Sequence, residues 1–272
     1  MIYEYKQYGN KFYIDSEEKI VVPSETTVIN GALAESNFVK IDIRKKGLEQ
    51  HEADWNVLAD DGTAEHQIVK DYLTNKEITG LQFKAILLEN NIPNHKIDKI
   101  TRAFLGIRQF LIDFQVIPQF IEKTYINYNT LSGGTIDFLG TIVENDIEYT
   151  ALIDWKTGSY TDIPIHYKLQ LNAYRRFVVE ELGIKVDKML IVNPKKWTKK
   201  PTYTVHKIEE IDFSVLDTLR FFYNELNQEK LKEFDKNIYN LQLCEKLTNE
   251  TNFEILQTTN FLSILRYKNG SN

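Results

Sequence analysis

Apolar and polar positions divide the chain into stretches of different period. Over the first thirty residues, Tyr3, Tyr5, Phe12 and Ile14 flank a Gly9-Asn10 turn signal, which predicts β structure. Pro23-Ser24-Glu25-Thr26-Thr27 then leads into small and apolar residues, and Ser24 is placed to cap a short helix. His66, Val69 and Leu73 share one face of a helix predicted over about residues 63–74. Gly62, just before it, is expected to let the chain turn tightly into that helix. A second helical stretch, about 80–92, stops at Pro93. A third, about 95–115, carries the stripe Ile97, Ile100, Phe104, Ile107, Leu111 and Phe114.

After Pro118 the period shortens to two. Strands are predicted over about 120–125, 134–143 and 149–155, the last reading Ala-Leu-Ile before Asp154 as a strand buried on both faces does. A helix over about 164–182 ends at Gly183. Strands follow over about 186–192 and 202–205, and the chain from Asp212 on reads as mainly helical. The pattern predicts an α/β fold, a mixed central sheet flanked by helices. We read residues 1–272 as one domain. Its core spans about 23–74 and 117–210, with a helical insertion at about 75–116 and a helical C-terminal region at about 211–272. The insertion is expected to lie over the cleft beside His66 as a lid that only a threaded single strand passes.

The 272 residues, 42% hydrophobic and 26% charged, are enough for a sizeable core. A single cysteine, Cys244, excludes an internal disulfide and a four-cysteine zinc or iron-sulfur site. It suits a reducing cytoplasm. The start of the chain lacks the pattern of a signal peptide, and no apolar run is long enough to cross a bilayer, so no membrane partner is expected. The net charge of −6 counts against a nucleic-acid partner, but carboxylates grouped around a cation also make the total negative.

Candidate chemistry centres on Ile153-Asp154-Trp155-Lys156-Thr157-Gly158. Residues two apart on a strand share a face, so Asp154 and Lys156 project together. Taken alone, the pair reads first as an ordinary salt bridge at a strand end. Asp137 lies in the preceding strand, with the polar turn Glu144-Asn145-Asp146 between. An antiparallel hairpin brings both aspartates to one face, where they repel unless a cation lies between them. Oxygen ligands suit Mg²⁺. His66 reads either as a core histidine or as a further ligand to Mg²⁺ or Mn²⁺. Gln170 and Tyr174 are one helical turn apart, on a helix that follows the Asp-x-Lys strand and can face back towards it. Glu65 is a weaker candidate for a second metal, or faces water beside His66.

Basic clusters offer phosphate contacts. Lys195-Lys196-Trp197-Thr198-Lys199-Lys200 sets four lysines around a tryptophan that can stack on bases, and equally reads as a solvated loop. Arg44-Lys45-Lys46 is another cluster, and Arg175 and Arg176 follow Tyr174.

Gly62-x-x-x-His66, Gly134-x-x-Asp137, Asp154-x-Lys156 and Gln170-x-x-x-Tyr174 occur in that order. Together they resemble the RecB-like branch of the PD-(D/E)XK nuclease superfamily. The surroundings, Pro23-Ser24-Glu25-Thr26-Thr27, Gly62-Thr63-Ala64-Glu65-His66 and Ile153-Asp154-Trp155-Lys156-Thr157, are similar to phage-type and mitochondrial single-strand DNA exonucleases of that branch. The likeness runs from about residue 23 to 195.

The resemblance implies a restriction-endonuclease-like core and a Mg²⁺- or Mn²⁺-dependent exonuclease acting from free ends of single-stranded DNA. Replication, recombination or repair is the implied setting, in a phage among others, and a recombinase, helicase or single-strand-binding protein is the implied partner. It implies catalytic roles for Asp137, Asp154, Lys156, Gln170 and Tyr174. It adds the Trp155 carbonyl to His66, Asp137 and Asp154 as a metal ligand. Relatives with four cysteines carry an iron-sulfur cluster; this chain does not have the cysteines for one. Two other readings stay open: a non-catalytic nucleic-acid-binding or assembly protein that keeps the fold, and a structure-specific endonuclease with the same chemistry.

Overall fold

A computed structural model describes residues 2–7, 10–18, 20–33, 37–156, 160, 162–194 and 199–227. Strands β1 (Ile2–Gln7), β2 (Asn10–Asp15) and β3 (Ile20–Pro23) form a small antiparallel sheet. Ser24 then starts α1 (Glu25–Ala32), its Oγ accepting from the Thr27 backbone N–H at 3.0 Å. This is the cap expected from the sequence. Next come α2 (Asn37–Lys46), α3 (Leu48–Asn75), α4 (Gly80–Glu89) and α5 (Ile97–Asp113).

The main sheet follows: β4 (Ile117–Asn127), β5 (Ser132–Glu144), β6 (Ile147–Trp155), β7 (Lys188–Pro194) and β8 (Tyr203–Lys207), paired in that order. All neighbours are antiparallel except β6 and β7, which are parallel and joined through α6 (Ile165–Glu180). A parallel pair needs such a crossover because its strands run the same way. Asp212 caps α7 (Phe213–Leu226), and residues 228–272 lie outside the described part.

The sheet is covered on both faces. On one, Phe104, Ile107 and Phe110 of α5 pack with Phe138, Ile153 and Trp155. On the other, Leu171, Phe177 and Val178 of α6 pack with Leu139, Leu152 and Ile191. Residues Ala151 to Trp155 of β6 alternate between these two cores and are all buried, as the apolar run predicts. The fold is a mixed α/β fold of the expected class.

Two expectations fail. Helix α3 spans 28 residues and begins well before Gly62, which sits inside it and makes no tight turn. The apolar spacing of its first half is too irregular to be read from sequence. The helical block at 75–116 is also no lid. The buried side of α5 is fully used against the sheet and α3, so the block forms core and contributes nothing to the lining of the cleft described below.

Candidate metal centre and active-site cleft

A cleft of about 500 Å³ opens between α3, the main sheet and the small N-terminal sheet. His66, Asp137, Asp154, Lys156, Gln170 and Tyr174 all line it. They arrive from four parts of the chain. The register of β5 and β6 pairs Phe138 with Ile153, which sets Asp137 and Asp154 next to each other across the hairpin. Helix α3 crosses in front and supplies His66, and α6 faces back with Gln170 and Tyr174.

The backbone of Trp155 ties these groups together. Its N–H donates to Asp137 Oδ2 at 2.9 Å. Its carbonyl oxygen lies 3.0 Å from His66 Nε2. The other imidazole nitrogen, Nδ1, is 3.3 Å from Glu122 Oε1 and 3.6 Å from Asp137 Oδ1. Glu122 was not among the residues read from sequence. It stands across from Asp137 on β4 and takes a left-handed backbone, φ 47°, uncommon for a residue with a side chain. One ligand atom from each of His66, Glu122 and Asp137 falls within 4.8 Å of the others.

Lys156 is fixed from several sides. Its ammonium lies 3.0 Å from Asp154 Oδ1 and 2.8 Å from Oδ2. It also donates to Gln170 Oε1 at 3.4 Å and sits 4.4 Å over the Tyr167 ring. Gln170 in turn donates to the Tyr174 hydroxyl at 2.7 Å. That hydroxyl is carried on a ring lying against Gly134, where an added Cβ would fall 2.6 Å from Tyr174 Cε1. The first residue of Gly134-x-x-Asp137 is therefore a glycine because the last residue of Gln170-x-x-x-Tyr174 occupies its side-chain space. The two short motifs are one packing unit.

The electrostatics are those of a crowded acidic site. Burial raises the Asp137 carboxyl above its usual value, and the neighbouring Glu122 adds to this against the pull of His66. Burial likewise pushes Asp154 up to about 6, against the attraction of Lys156. Burial alone would lower the His66 imidazole, but the Asp137 and Glu122 carboxylates outweigh it and push it up to about 9. Burial would lower Lys156 too; Asp154 and Asp137 hold it above its ordinary value, so it stays an ammonium at neutral pH. Asp154 Oδ2 accepts no well-formed hydrogen bond. Such a set of carboxylate, carbonyl and imidazole donors fits Mg²⁺ or Mn²⁺, whose charge would offset the cost of burying the acids.

Other expected residues lie elsewhere. Glu65 does not face water: it is 1% exposed, does not line the cleft, and both its oxygens lack a hydrogen bond. Burial pushes its carboxyl up to about 8. Arg44, Lys45 and Lys46 end α2 away from the cleft lining, with Lys46 paired to Asp42 and Asp54. Arg175 pairs with Glu210 and packs over Phe213, and Arg176 pairs with Glu180 and Asp217. Lys199 and Lys200 are exposed and do not line the cleft, while Lys195, Lys196 and Trp197 lie outside the described residues. The cations that do line it beside Lys156 are Lys11 and Lys70. Neither stands in a motif, and only the packing of β2 and α3 around the site reveals them.

No family model and no curated protein matches the chain. Among solved structures, one described as "Crystal structure of SSO0001" is similar at 18% identity over 62% of this chain and 74% of its own. The TM-score is 0.30, too low to bear on fold or function.

Proposed function

We propose that the chain is a Mg²⁺- or Mn²⁺-dependent deoxyribonuclease of the RecB-like PD-(D/E)XK kind, hydrolysing phosphodiester bonds from the free ends of single-stranded DNA. One observation carries the reading. His66, Asp137, Asp154 and Lys156, brought from α3, β5 and the end of β6, converge in one cleft, and the Trp155 backbone ties His66 to Asp137.

His66, Asp137, Asp154 and the Trp155 carbonyl are the groups that would hold the cation. When bound, it polarises the phosphate and acidifies a water. The chain's own residues do the rest. Lys156, kept cationic and aimed by Asp154, Gln170 and Tyr167, donates its N–H groups to the charge that develops on the phosphate oxygens. Asp137 and Asp154 orient the reacting groups through the fixed backbone of Trp155. Tyr174 and Gln170 keep the lysine from swinging away.

The cleft also supports a single-stranded substrate. Its far wall is the N-terminal sheet, anchored by the Tyr13 hydroxyl 3.1 Å from Thr135 Oγ1 and by a bridge from Ser24 to Gly133. A space of about 500 Å³ admits a flexible strand. In this reading the strand end enters between β1–β3 and α3, whose closeness on either side of the catalytic groups obstructs a duplex. The restriction comes from these elements and not from the helices at 75–116. The substrate form is tested with end-labelled single-stranded, duplex and covalently closed circular single-stranded DNA in Mg²⁺ or Mn²⁺. Shortening of the linear single strand alone is expected. Efficient cutting of the circles would make the enzyme an endonuclease.

A further inference from the structure

We infer that Glu122 is a direct ligand of the cation, beside His66 and Asp137. This rests on the metal-dependent reading above and deepens it, since none of the motifs contains Glu122.

Distances decide between a ligand and a hydrogen-bond partner. Charge-assisted hydrogen bonds run at about 2.7–2.9 Å. The approaches of His66 Nδ1 to Glu122 and Asp137, 3.3 and 3.6 Å, are loose for that. Neighbouring ligand atoms around an octahedral cation with bonds of about 2.1 Å stand about 3 Å apart. Both distances from His66 Nδ1 are those of adjacent ligands with slight expansion, and the two carboxylate oxygens lie within 4.8 Å of each other. Direct cross-strand placement opposite Asp137 holds Glu122 there, and the group lines the cleft.

Two further observations point the same way. Asp154 Oδ2, on a side chain 3% exposed, meets the Lys156 ammonium at 2.8 Å without the geometry of a hydrogen bond and lines the same cleft. Charge gives the second. Glu122, Asp137 and Asp154 set against Lys156 leave two negative charges, the charge one divalent cation neutralises; without Glu122 only one remains. To coordinate the cation His66 must release the proton that the two carboxylates hold on it, and the neutral imidazole then adds a donor without altering that balance.

The test is Mn²⁺ binding to the full-length protein without DNA, read by the loss of the free-ion electron paramagnetic resonance signal and by calorimetry. Glu122→Gln keeps size and a hydrogen-bond acceptor but loses the charge. Glu122→Ala loses both, and Glu122→Asp keeps the charge on a shorter arm. We expect Gln and Ala to weaken Mn²⁺ at least about tenfold, with Asp between them and wild type. Unchanged melting temperatures in EDTA would show that each variant folds. If Gln binds Mn²⁺ as wild type does while Ala does not, Glu122 only positions His66 and the ligand assignment is overturned. Equal binding by all variants, or none by wild type, overturns it too. Wild type that binds Mn²⁺ through Glu122 yet cuts no DNA leaves the assignment standing and removes the nuclease reading. Should Gln and Ala both unfold, the Asp variant and nitrogen and proton hyperfine couplings of wild-type-bound Mn²⁺ decide. The ligand assignment requires weakened binding in the former and a coordinated imidazole with few bound waters in the latter.

Discussion

His66 Nε2 lies 3.0 Å from the carbonyl oxygen of Trp155, a residue 89 positions further along the chain. The contact joins α3 to the end of β6 at the point where the peptide N–H of Trp155 is held by Asp137. A histidine, a strand-end peptide and a buried aspartate thus form one rigid corner, beside which Lys156 is clamped.

That corner makes the consequences of two substitutions distinct. In the proposed mechanism Asp154→Asn removes a cation ligand and the charge that orients Lys156. Lys156→Ala removes the donor to the phosphate. Each is expected to lower the rate constant for cleavage by about 100-fold or more while the variant remains folded in EDTA. Single-turnover kinetics on a saturating labelled strand measure the effect. Wild-type rates in either variant would exclude the assigned roles.

The second expectation concerns Glu65. Its carboxyl titrates near 4.5 in the unfolded chain and at about 8 in the fold, because burial opposes its charge. Stability from the neutral acid is thus fully present below pH 4.5 and is lost as pH rises through 8. In EDTA the protein should melt at progressively lower temperature over that window. Glu65→Gln cannot ionise and should flatten this part of the profile. A Gln variant with an unchanged slope would place the titration elsewhere.

Much of this architecture is legible in the sequence, and the misses have physical causes. Ser24, Pro93, Pro118, Gly183 and Asp212 each stand at or within a few residues of the observed ends of elements, because caps and breakers act locally. His66, Asp137 and Asp154 are legible because each stands in a short local motif, and the Gly134 motif packs against the Tyr174 motif. Glu122 is not, because its importance depends on the register of β4 against β5, a long-range property of backbone pairing. Its strand carries Glu122 and Lys123 as any solvated strand might. The helices at 75–116 show their apolar stripe plainly, but a stripe says only that a face is buried and not against what. Glu65 reads as solvent-facing for the opposite reason: a lone acid beside a ligand gives no sign that α5 will cover it.

Because α5 is core, its central aromatic should matter for stability. Phe110 is fully buried against Trp155, Phe114 and Tyr203. Phe110→Ala should cost about 3–5 kcal/mol in urea unfolding. Exposed positions on α4, such as Leu81 and Leu88, should accept serine without change in cleavage or in the preference for linear strands. Loss of that preference in the serine variants would restore the lid.

Lys70, exposed at the cleft wall, offers a phosphate contact outside every motif. Lys70→Ala should weaken binding of single-stranded oligonucleotides of any sequence. It should also lower the slope of log affinity against log salt by about 0.7. Titrations by fluorescence anisotropy at several salt concentrations give both quantities. An unchanged slope would route the strand away from α3.

The central claim is that this cleft hydrolyses DNA with a divalent cation and Lys156. Its most direct measurement is the cleavage rate of an end-labelled linear single strand by wild type and Lys156→Ala, in Mn²⁺ and in EDTA. Anisotropy in the same samples shows that both proteins bind the strand. The account predicts shortening by wild type in Mn²⁺, none in EDTA, and a residual rate at least about 100-fold lower for the variant despite retained binding. Equal cleavage by the two proteins, cleavage that persists in EDTA, or bound but intact DNA in every sample would contradict it.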